Sequence, residues 1–588
     1  MLGFFKTLFA IIGVIATVLT IAVVWLVWDW IGSSDEPAAP DRIALRIDVG
    51  AGLPDAPPTA GLAALLGASR PTLAEAVAAL ETAGTDARVQ AVILDLGTTS
   101  PALTTAQELG DAVARFRATG RPVYAFADSF GELAPAEGAV LLAAQADEVS
   151  LRPVGMMGLA GLSAEVPFAA GALESLGITA EVARRGDYKT FPDTFTETEL
   201  SPAYREMLSS LLGDLSDQVS AGIAGGRGLS DDALAAAIDR GPLTADEALE
   251  LGLVDHLESR TAFNRRVDQA HPGASVVSLA DYAAIAPVPE PSAHAALVHL
   301  NGVMVVGEDS GSPSLLGDGA QSAQRIADAI DAAVADGVIA VLIRMDSPGG
   351  SPVAAAIIAD AVAEAREAGV PVVVSMGQTA ASGAYWAAAG ADAIVAEPAT
   401  QTGSIGVFAG GLATADFWES LGVNWDRVEA GGDNAGFWST VQPYDTAERA
   451  RLEALVQAIY DAFLDHVAAG RGLDRAAVEA VAQGRVWTGR QALENGLVDR
   501  LGGLETALDL LREEAGLAPD AVVALHAYPP PRSALDDIGN LLATGPAVAD
   551  GGLVDRVLSQ PAARALLEPL LASPGQRLVR TPSVLLMR

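Results

Sequence analysis

A chain of 588 residues, half of them hydrophobic, can build several packed cores, and length alone suggests about four domains. Its net charge of -38 and pI near 4.3 argue against nucleic acid as a partner, because phosphate binding needs a basic surface. The absence of cysteine excludes disulfides, thiol nucleophiles and thiolate metal sites.

The first element is an uncharged run of 21 residues from Leu8 to Trp28. It is long enough to span a bilayer, and longer than the apolar centre of a cleavable signal peptide. Trp25, Trp28 and Trp30 crowd one end, as interfacial aromatics do. Lys6 precedes the run, and Asp29, Asp35 and Glu36 follow it, so the positive-inside tendency leaves the N-terminus in the cytoplasm and the bulk of the chain outside. Residues 1–33 are therefore expected to be a cytoplasmic tip and membrane anchor, with 34–42 a polar linker.

From Ile43 the chain alternates strand-like and helix-like runs. Residues 43–49 read as a strand, 73–83 as a helix, 92–96 as a strand, 106–116 as a helix and 122–126 as a strand. Such alternation predicts an α/β fold with mostly parallel sheets. The second half then repeats the first. Val92-Ile93-Leu94 matches Val341-Leu342-Ile343, and Pro122-Val123 matches Pro371-Val372, both at an offset of 249. Glu174-Ser175-Leu176-Gly177 returns as Glu419-Ser420-Leu421-Gly422 at 245, and Thr244 through Gly252-Leu253-Val254-Asp255 returns as Thr488 through Gly496-Leu497-Val498-Asp499 at 244. Matches in the same order predict a tandem duplication with repeats at 43–262 and 294–509. Residues 263–293, rich in Ala and Pro, read as the linker between them, and 510–588 as an extension without a counterpart in the first copy.

The copies differ where chemistry would sit. In the second copy the strand-like run 339–343 ends in Met345-Asp346-Ser347-Pro348-Gly349-Gly350-Ser351, and the run 371–374 leads to Ala380-Ala381-Ser382-Gly383-Ala384-Tyr385 before a helix-prone stretch. Gly349-Gly350 permits close backbone approach, and a serine at a strand-to-helix turn can present its hydroxyl. Either motif alone reads as an ordinary turn; together they suggest a serine nucleophile at Ser382 and an oxyanion hole from the amides of Gly350 and Gly383. The matching stretch of the first copy, residues 133–137, contains no serine, and Thr98-Thr99-Ser100-Pro101 has no glycine pair.

A serine nucleophile needs a base. None of His256, His271, His294, His299, His466 and His526 lies in a glycine-rich loop of the motif region. Lysine is the other choice, and the chain has two, Lys6 and Lys189. Only Lys189 lies beyond the anchor. It follows Gly186-Asp187-Tyr188, while the second copy carries Gly431-Gly432-Asp433-Asn434 there. A surface lysine and a catalytic base fit this position equally until the second copy, which lacks it, is considered. To act as a base its amine must be neutral, which burial under Tyr188 and Phe191 would promote. Ser404, in Thr402-Gly403-Ser404-Ile405-Gly406, is the candidate partner of that amine, or else a turn serine.

These four motifs, together with the anchor and both repeats, resemble the long form of the signal peptide peptidase A (protease IV) family, a serine peptidase family of the caseinolytic-protease/crotonase superfamily. The resemblance covers most of the chain. It implies two tandem crotonase-like (ββα-type) domains behind an N-terminal transmembrane helix, a Ser382/Lys189 dyad supported by Ser404, and no cofactor or metal. It also implies endopeptidase action on hydrophobic signal peptides by a bowl-shaped homotetramer, held in a bacterial inner membrane with its bulk in the periplasm. The chain departs from the family pattern at Ala384, where a second glycine is common, and at Thr190-Phe191-Pro192, where Ser-Ala is common; both bear on substrate preference. The competing readings are a crotonase-type enzyme acting on acyl thioesters and a non-catalytic membrane scaffold.

Overall fold

The structure, a computed structural model, describes residues 39–56, 70–307, 320–432, 434–530 and 584–587. The expected span at residues 8–28 lies outside these, and among the described residues no helix is long and apolar enough to cross a membrane.

The first copy contributes strands β1 (Ile43–Asp48), β2 (Val89–Gly97), β3 (Val123–Ala127) and β4 (Glu148–Leu151), the separate strand β5 (Thr179–Arg185), and β6 (Ser275–Ser278). Its helices α1 (Leu103–Arg117) and α2 (Pro202–Arg227) matter most below. The second copy contributes β7 (Ala293–Asn301), β8 (Val341–Ser347), β9 (Val372–Ala381), β10 (Ala393–Ala396), β11 (Gln401–Gly403), β12 (Val407–Ala413) and β13 (Val523–Tyr528), with helices α3 (Gly383–Ala389), α4 (Thr446–Arg471) and α5 (Leu504–Glu514). In the first sheet the order β4-β3-β2-β1-β6 is parallel throughout. In the second, β13-β7-β8-β9 is parallel, and the long β9 pairs with β10 along its first half and with β11 along its last three residues. The central strands are buried on both faces, which is why they read as continuous apolar runs.

The repeated sequence motifs do the same structural work twice. Thr244 and Thr488 each cap a short helix in a capping box, with Glu247 and Gln491 as the reciprocal partners. Asp255 and Asp499 each accept from a strand amide, of Val149 and Ile394, at 2.8 Å. Gly228 and Gly472 end the two long helices at φ of 65° and 63°, a conformation glycine adopts without strain.

Two expected boundaries move. Residues 263–293 are not simply a linker, because they finish the helix Arg260–Ala270 and supply β6, which pairs with β1. The repeat also does not stop at residue 509, because α5 crosses that point and β13 pairs with β7 as β6 pairs with β1. The physical reason is the weakness of β6, which has four residues and buries only Val277.

The copies share a core. Leu73, Leu80 and Leu109 of the first pack in one cluster with Leu297, Leu342, Val373 and Leu504 of the second. Across this seam the buried Arg344 of β8 donates to Asp55 at 2.6 Å, to Glu108 of α1 at 2.8 Å and to Ser375 at 2.9 Å. Glu108 also accepts from the Leu504 amide at 2.8 Å. Removing one partner would strand a buried charge at a cost of about 3–5 kcal/mol. A second junction is the antiparallel ribbon of β5 and β12, one strand from each copy.

Candidate active site

Ser382 lies where β9 ends and α3 begins. Its backbone has φ 57° and ψ −122°, a strained conformation for a residue with a side chain. The turn is held from both sides: the Ser382 amide donates to Gly403 O at 2.9 Å, and its carbonyl accepts from the Trp386 amide at 3.0 Å. The Pro348-Gly349-Gly350 loop comes close to it. Gly349 has φ 97°, and a Cβ built there would lie 2.6 Å from the Gly383 amide nitrogen. A Cβ on Gly383 would lie 3.2 Å from the Gly350 nitrogen, so the two amides stand side by side. Ser347 fixes the loop by donating to Gly302 O at 2.6 Å and accepting from the Gly349 amide at 3.1 Å.

Lys189 arrives from the other copy. Strand β5 pairs with β12 up to Arg185, then Gly186 turns the chain at φ 98°. No larger residue fits there, because a Cβ would meet the Gln483 backbone at 2.2 Å. The Tyr188 amide donates to Gln483 O at 2.9 Å, and the Arg485 guanidinium sits 4.9 Å from the Tyr188 ring centre. The Lys189 amine then lies 2.9 Å from Ser382 Oγ and 2.9 Å from Ser404 Oγ, and donates to Ser404 O at 2.9 Å. Lys189 is buried, with no carboxylate at its amine among the described residues, and burial pulls its pKa from 10.5 down to about 7. A neutral amine beside a serine hydroxyl can take its proton; an arginine there could not.

All five candidate residues, Ser382, Lys189, Gly350, Gly383 and Ser404, thus come together. The cover over the lysine differs from expectation. Phe191 is 61% exposed and packs instead edge-on against Phe195 and tilted against Phe408, while the Gly484 backbone closes over Lys189. The Gln483-Gly484-Arg485 loop escaped the sequence reading. Its one local signal is a glycine between a helix and the strand Val486–Thr488. The histidines lie elsewhere: His271 meets Tyr124, His294 meets His526, His466 meets the Trp386 carbonyl, His256 meets Glu148, and His299 is half-buried near Arg344.

The first copy keeps the place without the chemistry. Ala136 stands where Ser382 does, its amide donating to Gly158 O and its carbonyl accepting from the Val140 amide, both at 2.9 Å, but it is buried, has no hydroxyl and has φ −134°. Pro101 stands at the place of Gly350 and has no amide hydrogen to offer.

The family model for peptidase family S49 matches residues 115–272 and 364–518, one region in each copy. The chain belongs to peptidase family S49. This S49 peptidase is 31% identical over 550 residues to protease 4 of Salmonella typhi, covering 88% of this chain and 86% of that one. It is 29% identical over 482 residues to protease 4 of Haemophilus influenzae, covering 76% and 74%. It is also 29% identical over 428 residues to a chloroplastic serine protease SPPA of Arabidopsis thaliana, covering 71% and 61%. It is therefore a serine peptidase of the signal peptide peptidase A (protease IV) family in its tandem form.

Proposed function

We propose that this serine peptidase is a membrane-anchored endopeptidase that degrades released signal peptides and similar hydrophobic peptides, with Ser382 as nucleophile and Lys189 as general base. The observation that carries the dyad is the buried Lys189 amine, 2.9 Å from Ser382 Oγ. The neutral amine takes the hydroxyl proton as Oγ bonds to the peptide carbonyl carbon. The Gly350 and Gly383 amides hold the oxyanion that forms. The lysine ammonium returns the proton to the leaving nitrogen, and the C–N bond breaks. Water then attacks the acyl-enzyme, giving its proton to Lys189, and the serine leaves with that proton. Ser404 orients the amine throughout. The exposed aromatic cluster of Phe191, Phe195 and Phe408 near the lysine loop suits apolar substrate side chains.

The same proposal places two crotonase-like domains in the periplasm, on an inner-membrane anchor at residues 8–28, and includes self-association as a homotetramer without cofactor. Its support is the family membership together with the uncharged N-terminal run.

The test is cleavage of a synthetic signal peptide by wild type, Ser382→Ala and Lys189→Arg, each shown to be folded by circular dichroism. Both variants should lose activity by roughly 10³-fold or more. An active Lys189→Arg enzyme would place the base elsewhere and overturn the mechanism.

A further inference from the structure

Within one chain, strand β5 of the first copy pairs with β12 of the second. The counterparts of these two strands are left open. Gly158 and Gly161 precede one as Gly403 and Gly406 precede β12, and Glu174-Ser175-Leu176-Gly177 precedes β5 as Glu419-Ser420-Leu421-Gly422 precedes the other, all at an offset of 245. The counterpart of β12 is therefore residues 162–168, and that of β5 is residues 424–430. Neither is paired in a strand among the described residues, and every residue from 421 to 430 is exposed. We propose that residues 424–430 of one copy of this chain pair, antiparallel, with residues 162–168 of a second copy, repeating between chains the ribbon that β5 and β12 form within one.

The register follows from the intrachain ribbon. There Arg185 faces Val407 and Thr179 faces Ala413. Between chains Ala430 then faces Leu162, Asn424 faces Phe168, and Arg427 falls opposite Glu165. An opposite-charge pair directly across a ribbon is favourable. The intrachain ribbon offers no such pair at these positions, which are Val182 and Gly410.

The supporting helix carries a second complementarity. Inside the chain Arg449 of α4 forms an ion pair with Glu181 of β5. Its counterpart on α2 is Arg205, at an offset of 244, and the counterpart of Glu181 is Asp426. Arg205 is exposed and in no ion pair among the described residues. Leu452 and Val456 of α4 are buried at 4% and 0% exposure, whereas their counterparts on α2, Leu208 and Leu212, are only half-buried. Val428 is 96% exposed, while its counterpart Ala183 is 5% exposed on the face turned to α4. So α2 has an apolar strip and a free arginine, residues 162–168 are left unpaired, and residues 424–430 carry matching groups. Exposed strand-like edges of this kind are templates for pairing with another chain.

The contact is head to tail, which closes into a ring or grows into a filament. It also gives the first copy's elbow an occupant. Strand β5 leads to Lys189 beside Ser382; residues 424–430 lead to Asn434, the counterpart of Lys189, toward Ala136 of the second chain, the counterpart of Ser382. The inference gives a surface to the self-association proposed above and does not depend on the dyad.

The natural chain has no cysteine, so single cysteines can be placed freely. A full-length Glu165→Cys chain and a full-length Arg427→Cys chain, mixed in detergent and oxidised, should form a disulfide-linked dimer, while neither forms one alone. A Ser163→Cys chain mixed with Arg427→Cys should link at least about tenfold more slowly, because diagonal Cβ atoms lie about 7–8 Å apart against about 5 Å for a facing pair. Asp426→Arg should shift sedimentation toward smaller species, and Arg205→Asp in the same chain should restore it. Linking of either single-cysteine chain with itself at the rate of the mixture overturns the pairing. An oligomer that fails to link at 165 and 427 overturns this surface and leaves self-association standing. A monomer at peptidase-assay concentration overturns both.

Discussion

Two turns in the molecule stand at the same place in the two copies and differ in both backbone and content. Ser382 and Ala136 each cap the helix that follows a strand of a parallel sheet, their amides donating to Gly403 O and Gly158 O at 2.9 Å, but Ser382 has φ 57° and Ala136 φ −134°. Around Ser382 the chain supplies a glycine pair, a buried lysine and a second serine. Around Ala136 it supplies Pro101, and Ser100 is occupied in accepting from the Ala139 amide at 3.1 Å. A positive φ on a residue with a side chain costs on the order of 1–3 kcal/mol wherever it occurs. The strain at Ser382 therefore belongs to the site and not to the framework, because the equivalent turn at Ala136 is built without it. What makes a site is what the other copy delivers to the turn.

The sharpest way to break this comparison is to exchange the contents of the turns. Ser382→Ala should lower kcat/KM on a signal peptide by roughly 10⁴-fold, and Leu133→Ala, in the loop before Ala136, should leave it unchanged. Ala136→Ser added to Ser382→Ala should stay inactive, because that hydroxyl meets neither a lysine nor a paired amide. Recovered cleavage would mean that the turn alone suffices.

Next in size is the pH dependence, which only the second copy's turn should show. With the Lys189 pKa at about 7, the neutral fraction, and with it kcat/KM, should rise about tenfold per pH unit up to neutrality and then level off. Stability should move with it. The folded pKa lies below the unfolded 10.5, so between about 7 and 10.5 the unfolded chain binds more protons and stability rises with pH. Below about 7 the full penalty of burying the lysine is present. Lys189→Met should therefore melt higher than wild type near pH 7, with the gap narrowing toward pH 10, while remaining inactive. A flat rate profile from pH 5 to 9 would remove the lysine from the mechanism. Ser404→Ala should cost less, about tenfold in kcat with KM unchanged, since the amine keeps its contacts with Ser382 and the Ser404 carbonyl.

The legible parts of this molecule are those with short-range signatures. Strands such as β8 and β9 are buried on both faces and appear as apolar runs, and the Ser382 and Gly350 loops follow them directly. Lys189 is legible for a different reason, its rarity in a chain whose other cations beyond the anchor are arginines. The illegible parts depend on distant residues. The Gln483-Gly484-Arg485 loop that seats Lys189 lies almost 300 residues from it in sequence and matters only once the copies dock. The seam of Arg344, Asp55 and Glu108 is invisible because charged residues in apolar surroundings look, locally, like surface. Strand β6 hides among alanines and prolines because only one of its side chains is buried. Phe191 misleads in the opposite sense: an aromatic beside a buried lysine suggests cover, yet its ring turns outward to Phe195 and Phe408.

The smallest effect tests the strain at Leu133, in the loop three residues before Ala136, where no chemistry is held. Leu133 is 88% exposed, so removing its side chain loses little burial, and its φ of 58° is one that glycine adopts freely. Leu133→Gly trades relief of that strain against the greater freedom glycine gives the unfolded chain, and the balance favours the folded state by up to about 1 kcal/mol. Thermal unfolding should show a rise in midpoint with peptidase activity unchanged. Leu133→Val, a β-branched residue for which positive φ is least tolerable, should move the midpoint the other way. If glycine destabilises and valine does not, the backbone at Leu133 is relaxed, and Ser382 is the strained residue of the two.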